Sequence, residues 1–228
     1  MKTGNKTILF DIDDTLIKND SFPSDIEETL EYIRVLKKKG WKLGINTNRP
    51  LSDFVKDVYK KYMLNGPIIT EKGSCIYVNK NNSFINIIEP NEIIKVILKE
   101  LEKEKDLKIN KDRINSISIR FKVNDILYDY VMKIVNNYKN IILHEENNNG
   151  IIKININLKE QSKFKAMSSL NEKIIFISDY EEDVIHTANT IIYSVGESVL
   201  FNKEVNKVYK KFIDGINEIL KEIIEEEN

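Results

Sequence analysis

The chain of 228 residues has a single cysteine, Cys75. No intrachain disulfide can form, and a thiolate metal cluster is excluded for the same reason. Only two histidines occur, His144 and His186, which argues against a multi-histidine zinc site. Neither sign of charge is in excess: 35 basic side chains face 36 acidic ones, a formal net charge of -1. Nothing global therefore draws the chain to nucleic acid or to an anionic membrane. No apolar run approaches the roughly 20 residues that a bilayer-spanning helix needs. The segment Met1-Lys2-Thr3-Gly4-Asn5-Lys6 leads into a strand-like stretch without a signal-peptide core, so a cytoplasmic location is expected. Internal repeats and long low-complexity linkers are also missing. What remains is 41% hydrophobic and 31% charged, the composition of a folded domain with a charged surface.

Hydrophobic patterning divides the chain. Thr7 to Asp11 reads as a short buried strand ending in acids. A helix follows, with Ser24 and Glu27 at capping-box spacing, Ile26, Leu30 and Ile33 on one face, and Gly40 after its basic end. Trp41 to Asn46 is a second strand, and a second helix begins near Ser52 with Val55, Val58, Tyr59 and Tyr62 on one face. Pro67 to Thr70 and Cys75 to Val78 are short strands, with Cys75 expected in the core. Such alternation is the pattern of an open α/β sheet.

From about Asn79 to Leu158 the pattern changes. Strands such as Ser116 to Phe121 and Ile152 to Ile156 alternate polar with apolar, as in a sheet buried on one face. Helices are expected over Asn91 to Lys105 and Asn124 to Tyr138, and a hairpin turn at Asn147-Asn148-Asn149-Gly150. The α/β pattern then resumes. It predicts a helix over Ser162 to Leu170, a strand over Ile174 to Ile177, a helix near Glu182 to Ala188, a strand over Ile191 to Val195 and a helix over Glu204 to Glu226. The expected organisation is a core of residues 1–79 and 160–228, with an α+β cap of residues 80–159 inserted in it.

In open α/β sheets, function collects at the carboxyl ends of strands. Three core strands end in reactive residue types: Asp11 with Asp13, Thr47, and Asp179 with Asp183. Two carboxylates about 4 Å apart repel by roughly 4 kcal/mol at an effective dielectric of about 20. Several together are a liability unless a cation joins them. Oxygen ligands suit magnesium, which shares phosphate oxygens and waters with one or two carboxylates. The electrostatics already suggest a phosphate substrate.

The segment Asp11-Ile12-Asp13-Asp14-Thr15-Leu16 resembles the Asp-x-Asp-x-Thr first motif of haloacid-dehalogenase-like phosphatases. Thr47, after Gly44-Ile45-Asn46, resembles the second motif, and Lys163, in Gln161-Ser162-Lys163-Phe164-Lys165-Ala166-Met167, the third. Lys163 is favoured over Lys165 because Ala166-Met167 then align with the family's helix pattern. Ser178-Asp179-Tyr180-Glu181-Glu182-Asp183 resembles the acidic fourth motif, Gly-Asp-Ser-x-Asn-Asp. Glu71-Lys72-Gly73-Ser74 looks like the Glu-Asn-Gly-Ala segment of the Cof-like branch, which includes sugar-phosphate, sucrose-phosphate and archaeal phosphoglycolate phosphatases.

The resemblance covers essentially the whole chain and implies a Rossmann-like three-layer α/β core with a mostly parallel sheet, plus an inserted α+β cap. It also implies roles. Asp11 is the nucleophile and forms an aspartyl-phosphate. Asp13 protonates the leaving oxygen and later activates water. Magnesium is held by Asp11, the Asp13 carbonyl and Asp179, with Asp183 as a further ligand. Thr47, Asn48 and Lys163 bind the transferring phosphate. The acid at position 13 favours ester hydrolysis, since a dehalogenase needs none there. The implied partner is a small phosphorylated metabolite, a sugar phosphate or a phosphoglycolate-like compound. A monomer or homodimer is expected, with no nucleic-acid or membrane partner.

The fourth motif departs from the pattern: Ser178, Tyr180 and Glu182 replace Gly, Ser and Asn, and Asn48 stands where Gly is common. Two further readings share these residues, a phosphometabolite-binding protein with weak or no turnover and a phosphomutase-like phosphotransferase. Arg49 and Lys72 read as solvated, His186 as structural or on the surface, and Tyr180 equally as lining the cleft or packing.

Overall fold

Strands buried on both faces build the larger of two sheets in the computed structural model, which describes residues 6–18, 20–80, 83–170, 172–179, 190–196, 207–210 and 212–227. The chain runs β1 (Lys6–Phe10), α1 (Glu27–Lys38), β2 (Trp41–Asn46), α2 (Asp53–Lys61), β3 (Ile68–Thr70), β4 (Cys75–Lys80) and β5 (Ser83–Asn86). Next come α3 (Glu92–Leu101), β6 (Lys108–Ile109), β7 (Ile117–Lys122), α4 (Asp125–Val135), β8 (Ile141–Asn148) and β9 (Ile151–Leu158). The last elements are α5 (Lys163–Ser169), β10 (Lys173–Ser178), β11 (Thr190–Val195), β12 (Lys207–Tyr209) and α6 (Phe212–Glu226).

The larger sheet has the order β12-β11-β10-β1-β2-β3-β4-β5, and all its pairings are parallel except β3 with β4 and β4 with β5. Alternation within its strands sorts apolar side chains to two layers. Ile8, Phe10, Ile175 and Ile177 pack with residues of α1, α2 and α6, while Leu9, Ile174 and Phe176 pack with Ala166 and Met167 of α5. The order reverses at β1, with β2 on one side and β10 on the other. Asp11, Thr47 and Asp179 follow β1, β2 and β10, so three adjacent strand ends meet at the switch point of the sheet.

The second sheet is antiparallel, β6-β7-β9-β8. Its apolar face, with Ile117, Ile119, Phe121, Ile152, Ile154 and Ile156, packs on residues of α3 and α4. Its other face is polar. Asn91 and Asn124 cap α3 and α4 by accepting from N–H groups of the first turn. Both helices end before the expected Lys105 and Tyr138. Asn149 and Gly150 have φ of 53° and 76°, the left-handed pair that a two-residue hairpin turn needs. The α/β core with a mainly parallel sheet and a cap built on an antiparallel one is the expected fold.

Two local expectations are corrected. Ser24 and Glu27 form no capping box: the helix starts at Glu27, its N-cap Ile26 offers no side-chain bond, and Asp25 accepts from the Glu27 N–H at 3.2 Å. Glu27 is the first residue of the helix, whereas a Ser24 cap would need it to be the third. The last helix begins at Phe212 and not at Glu204. Lys207–Tyr209 instead extends the sheet beside β11, whose edge offers the backbone partners that a helix would forgo. The helix expected near Glu182 to Ala188 lies outside the described residues.

Candidate active site

Asp11 leaves β1 with its N–H bonded to the Ile177 carbonyl of β10 at 2.9 Å, which ties the first acid to the neighbouring strand end. Ile12 is fully buried, so the acids on either side of it, Asp11 and Asp13, turn toward one cavity. Asp11 is buried. Its Oδ1 accepts from the Ile12 N–H at 2.8 Å and its Oδ2 from Lys163 Nζ at 2.9 Å. Lys163 is only 4% exposed, and Lys165 on the same helix is exposed. A buried pair of this kind holds its geometry because breaking it leaves an uncompensated charge.

Lys163 owes its place to a tight approach. Ser162 caps α5 by accepting from the Lys165 N–H at 3.1 Å. Glu71, Lys72 and Gly73 all adopt positive φ in one tight turn. At Gly73 a Cβ would lie 2.2 Å from the Ser162 carbonyl oxygen, so only glycine lets that turn press against the start of α5.

Asp179 is half-buried. The Thr15 hydroxyl donates to its Oδ1 at 3.2 Å and accepts from the Asp179 N–H at 3.1 Å. Burial raises its carboxyl above the ordinary value and the field of Asp14 adds to this, while Thr15 and Lys163 oppose it. Ionising such a group is costly without a cation. Asp13, Asp14, Asn48, Asp11 and Asp179 line one cavity of about 160 Å³. Among the described residues no three His, Cys, Asp or Glu side chains converge as a ligand set. Two carboxylates with a backbone carbonyl suffice for magnesium, which keeps several waters. Asp11 and Asp179 beside this cavity therefore fit such an ion. Asp183, Tyr180 and His186 lie outside the described residues.

Thr47 is fully buried, and its Oγ1 accepts from the Arg49 N–H at 3.2 Å. Neither Thr47 nor Lys163 lines the cavity, whereas the exposed Asn48 does.

Arg49, expected to be solvated, is engaged. Its Nε and Nη2 clasp Asp13 at 2.6–3.1 Å, Nη2 also bonds Asp20, and the guanidinium lies over the Phe54 ring. These bonds, Asp13 first, raise its pKa further above the ordinary arginine value. A cation among several acids at the strand ends is the signal that could have marked it. Glu71 was likewise missed as a clamp. Fully buried, it accepts from the N–H groups of Ile114 and Asn115 at 2.9 and 3.0 Å and from Ser116 Oγ at 2.7 Å, joining the larger sheet to the lead into β7. Cys75 is buried as expected, and burial pushes its thiol up to about 12.

Several crystal structures share this architecture. The Thermoplasma acidophilum protein 0175 is 18% identical with a TM-score of 0.67, covering 97% of this chain and 99% of its own. A haloacid dehalogenase-like hydrolase from Bacteroides thetaiotaomicron is 16% identical with a TM-score of 0.70, covering 96% and 99%. A sugar phosphatase of subclass IIB of that superfamily is 16% identical with a TM-score of 0.63, covering 96% and 99%. At such identities the likeness establishes the fold. No curated protein matches the sequence. The profile of one family does, over residues 8–224, and with it the chain belongs to the haloacid dehalogenase-like hydrolases.

Proposed function

We propose that the chain is a magnesium-dependent phosphomonoesterase acting on a small phosphorylated metabolite, a sugar phosphate or a phosphoglycolate-like compound. The observation that carries this reading is the buried Lys163–Asp11 pair beside a small cavity that Asp13 and Asp179 share. Asp11 Oδ attacks phosphorus, the bond to the ester oxygen breaks, and an aspartyl-phosphate forms. Asp13, released from Arg49 and having taken up a proton from solvent, gives that proton to the leaving alkoxide and becomes a carboxylate again. The same carboxylate then takes a proton from water, which attacks phosphorus and restores Asp11. Thr47 Oγ1 accepts from the Arg49 N–H, which leaves its own hydroxyl proton to donate to a phosphoryl oxygen. Lys163 holds Asp11 and adds positive charge where the phosphoryl oxygens gather it. Asn48 offers its amide to the same phosphate.

Magnesium, held by Asp11, the Asp13 carbonyl and Asp179 with Asp183 as a further ligand, supplies charge that screens the nucleophile from the incoming phosphate. Residues 1–79 and 160–228 form the catalytic core in this reading, and residues 80–159 the cap. The strand β5 reaches from the cap range back into the larger sheet. A cytoplasmic setting goes with such substrates. Asp11→Asn abolishes magnesium-dependent release of phosphate from p-nitrophenyl phosphate; undiminished turnover would sink the assignment. Transfer of the phosphoryl group to a second sugar, in place of free phosphate, would point to a phosphotransferase.

A further inference from the structure

A second cavity, of about 170 Å³, lies between the polar face of the cap sheet and the loops that follow β2 and β3. Asn48 lines both this cavity and the acidic one, so the two are adjoining parts of one cleft. The walls differ in charge. The first is lined by four carboxylates, whereas the second is lined by the cations Lys72, Arg113 and Lys153 against one acid, Glu146, with Lys72 Nζ 3.1 Å from His144 Nε2. Strand register brings the cap residues together. His144 faces Asn155 and Glu146 faces Lys153, so all four share the face opposite the apolar packing.

Arg113 is the group least explained by the fold. Among the described residues it bonds only neutral oxygens, the Asn48 carbonyl from Nη2 at 3.0 Å and Ser116 Oγ from Nη1 at 2.8 Å. Its Nε is buried without a partner among the described residues, as is Asn155 Oδ1 on the same wall. Burial lowers the pKa of Arg113, and the Glu71 carboxylate acts the other way. The Glu71 oxygens are already taken by Ile114, Asn115 and Ser116. No ion pair of Arg113 occurs among the described residues. Lys153, by contrast, is bonded to Glu146 at 2.8 Å. A half-buried guanidinium with an open donor is a poor structural element and a good anion receptor. A planar fork of this kind matches a carboxylate or phosphate, and the nearby amide of Asn155 suits a hydroxyl.

We propose that this cavity binds a second anionic group, carboxylate or phosphate, on the leaving-group side of the substrate, with Arg113 as its main receptor and Lys72 as a second charge. The proposal rests on the phosphatase reading of the adjoining acidic site. It narrows the substrate to a small phosphate ester that carries another negative charge. The two cavities, about 170 and 160 Å³, together fall at the low end of the roughly 300–1,000 Å³ of small-molecule pockets, which suits a small ester.

The test is a comparison of kcat/KM for 3-phosphoglycerate, glycerol 3-phosphate and glycerol 1,3-bisphosphate, with p-nitrophenyl phosphate as the general substrate. One of the two doubly anionic esters is expected to exceed glycerol 3-phosphate by at least about tenfold, and which one leads separates carboxylate from phosphate recognition. Arg113→Gln is expected to cut that ratio by at least about fivefold. Lys72→Asn is a second variant that the fold accepts, because Asn tolerates the positive φ of position 72. An equal rate for charged and neutral leaving groups, or a ratio unmoved in both variants, overturns the proposal. If no ester at all is hydrolysed, the phosphatase reading fails by itself. The cavity is then judged by calorimetric binding of 3-phosphoglycerate against glycerol 3-phosphate, where tighter binding of the acid supports it and equal binding overturns it.

Discussion

The two sheets bury their strands in different ways. In β1 the residues Ile8, Leu9 and Phe10 are all fully buried, and apolar contacts hold the strand from both sides. In β9 burial alternates, so Ile152, Ile154 and Ile156 face helices while Lys153 and Asn155 face the cleft. The core strands therefore display function only where they end, and a few acids and one lysine must share a small space. The cap sheet can display polar groups along its whole face without disturbing its packing. In the proposed reading this becomes a division of labour: the strand ends carry chemistry common to every ester, and the cap face carries discrimination.

Changes on the core side should affect all esters alike. Lys163→Met is expected to lower kcat/KM by about 10²–10³-fold for every substrate, and to destabilise the protein by about 3 kcal/mol, since it leaves Asp11 buried and unpaired. Steady-state kinetics on charged and neutral esters, with denaturant melts, checks both. A substrate-dependent loss would break the comparison. Gly73→Ala sits on the seam. Its new Cβ meets the Ser162 carbonyl at a positive-φ position, so a loss of about 1–3 kcal/mol is expected in the same melts, with reduced activity because α5 carries Lys163.

Arg49→Gln is expected to lower kcat about tenfold with little change in KM, because Arg49 orients the acid Asp13. Stability should stay within about 1 kcal/mol, as for other partly exposed ion pairs. A rise in KM alone would move Arg49 to substrate binding.

The smallest effect concerns the metal. The Asp179 carboxyl binds its proton more tightly in the folded protein than in the unfolded chain. Its stabilising contribution is therefore complete at acid pH, below the unfolded value, and is lost as pH rises through the folded one. Added magnesium is expected to raise Tm by a few degrees near neutral pH, less in acid, and less still in Asp179→Asn. A Tm shift equal at both pH values, or unchanged in that variant, would remove Asp179 from the metal.

Much of this was legible in the sequence. The apolar runs of β1 and β10 end in acids, and Ser52, Asn91 and Asn124 each cap the helix expected after them. Such signals are local, because the capping side chain and its N–H lie within three residues. The clasp of Arg49 on Asp13 and the Glu71 clamp span 36 and up to 45 positions, and depend on which loops the strand order brings together. The beginning of α6 was misread for a related reason. Val205, Val208 and Phe212 are spaced as on a helix, yet the open edge of β11 recruits Lys207–Tyr209 as a strand. Arg113 gave no local signal, since its meaning comes from the Asn48 carbonyl of a distant loop.

The central claim, that Asp11 is the nucleophile, is tested most directly by trapping. The protein is mixed with p-nitrophenyl phosphate and magnesium, quenched during turnover and reduced with borohydride, and the peptide containing Asp11 is read by mass spectrometry. An aspartyl-phosphate at that position is converted to homoserine, and the account predicts this conversion at Asp11 alone, with none in Asp11→Asn. Continued phosphate release with Asp11 never modified, or full activity in Asp11→Asn, would contradict it.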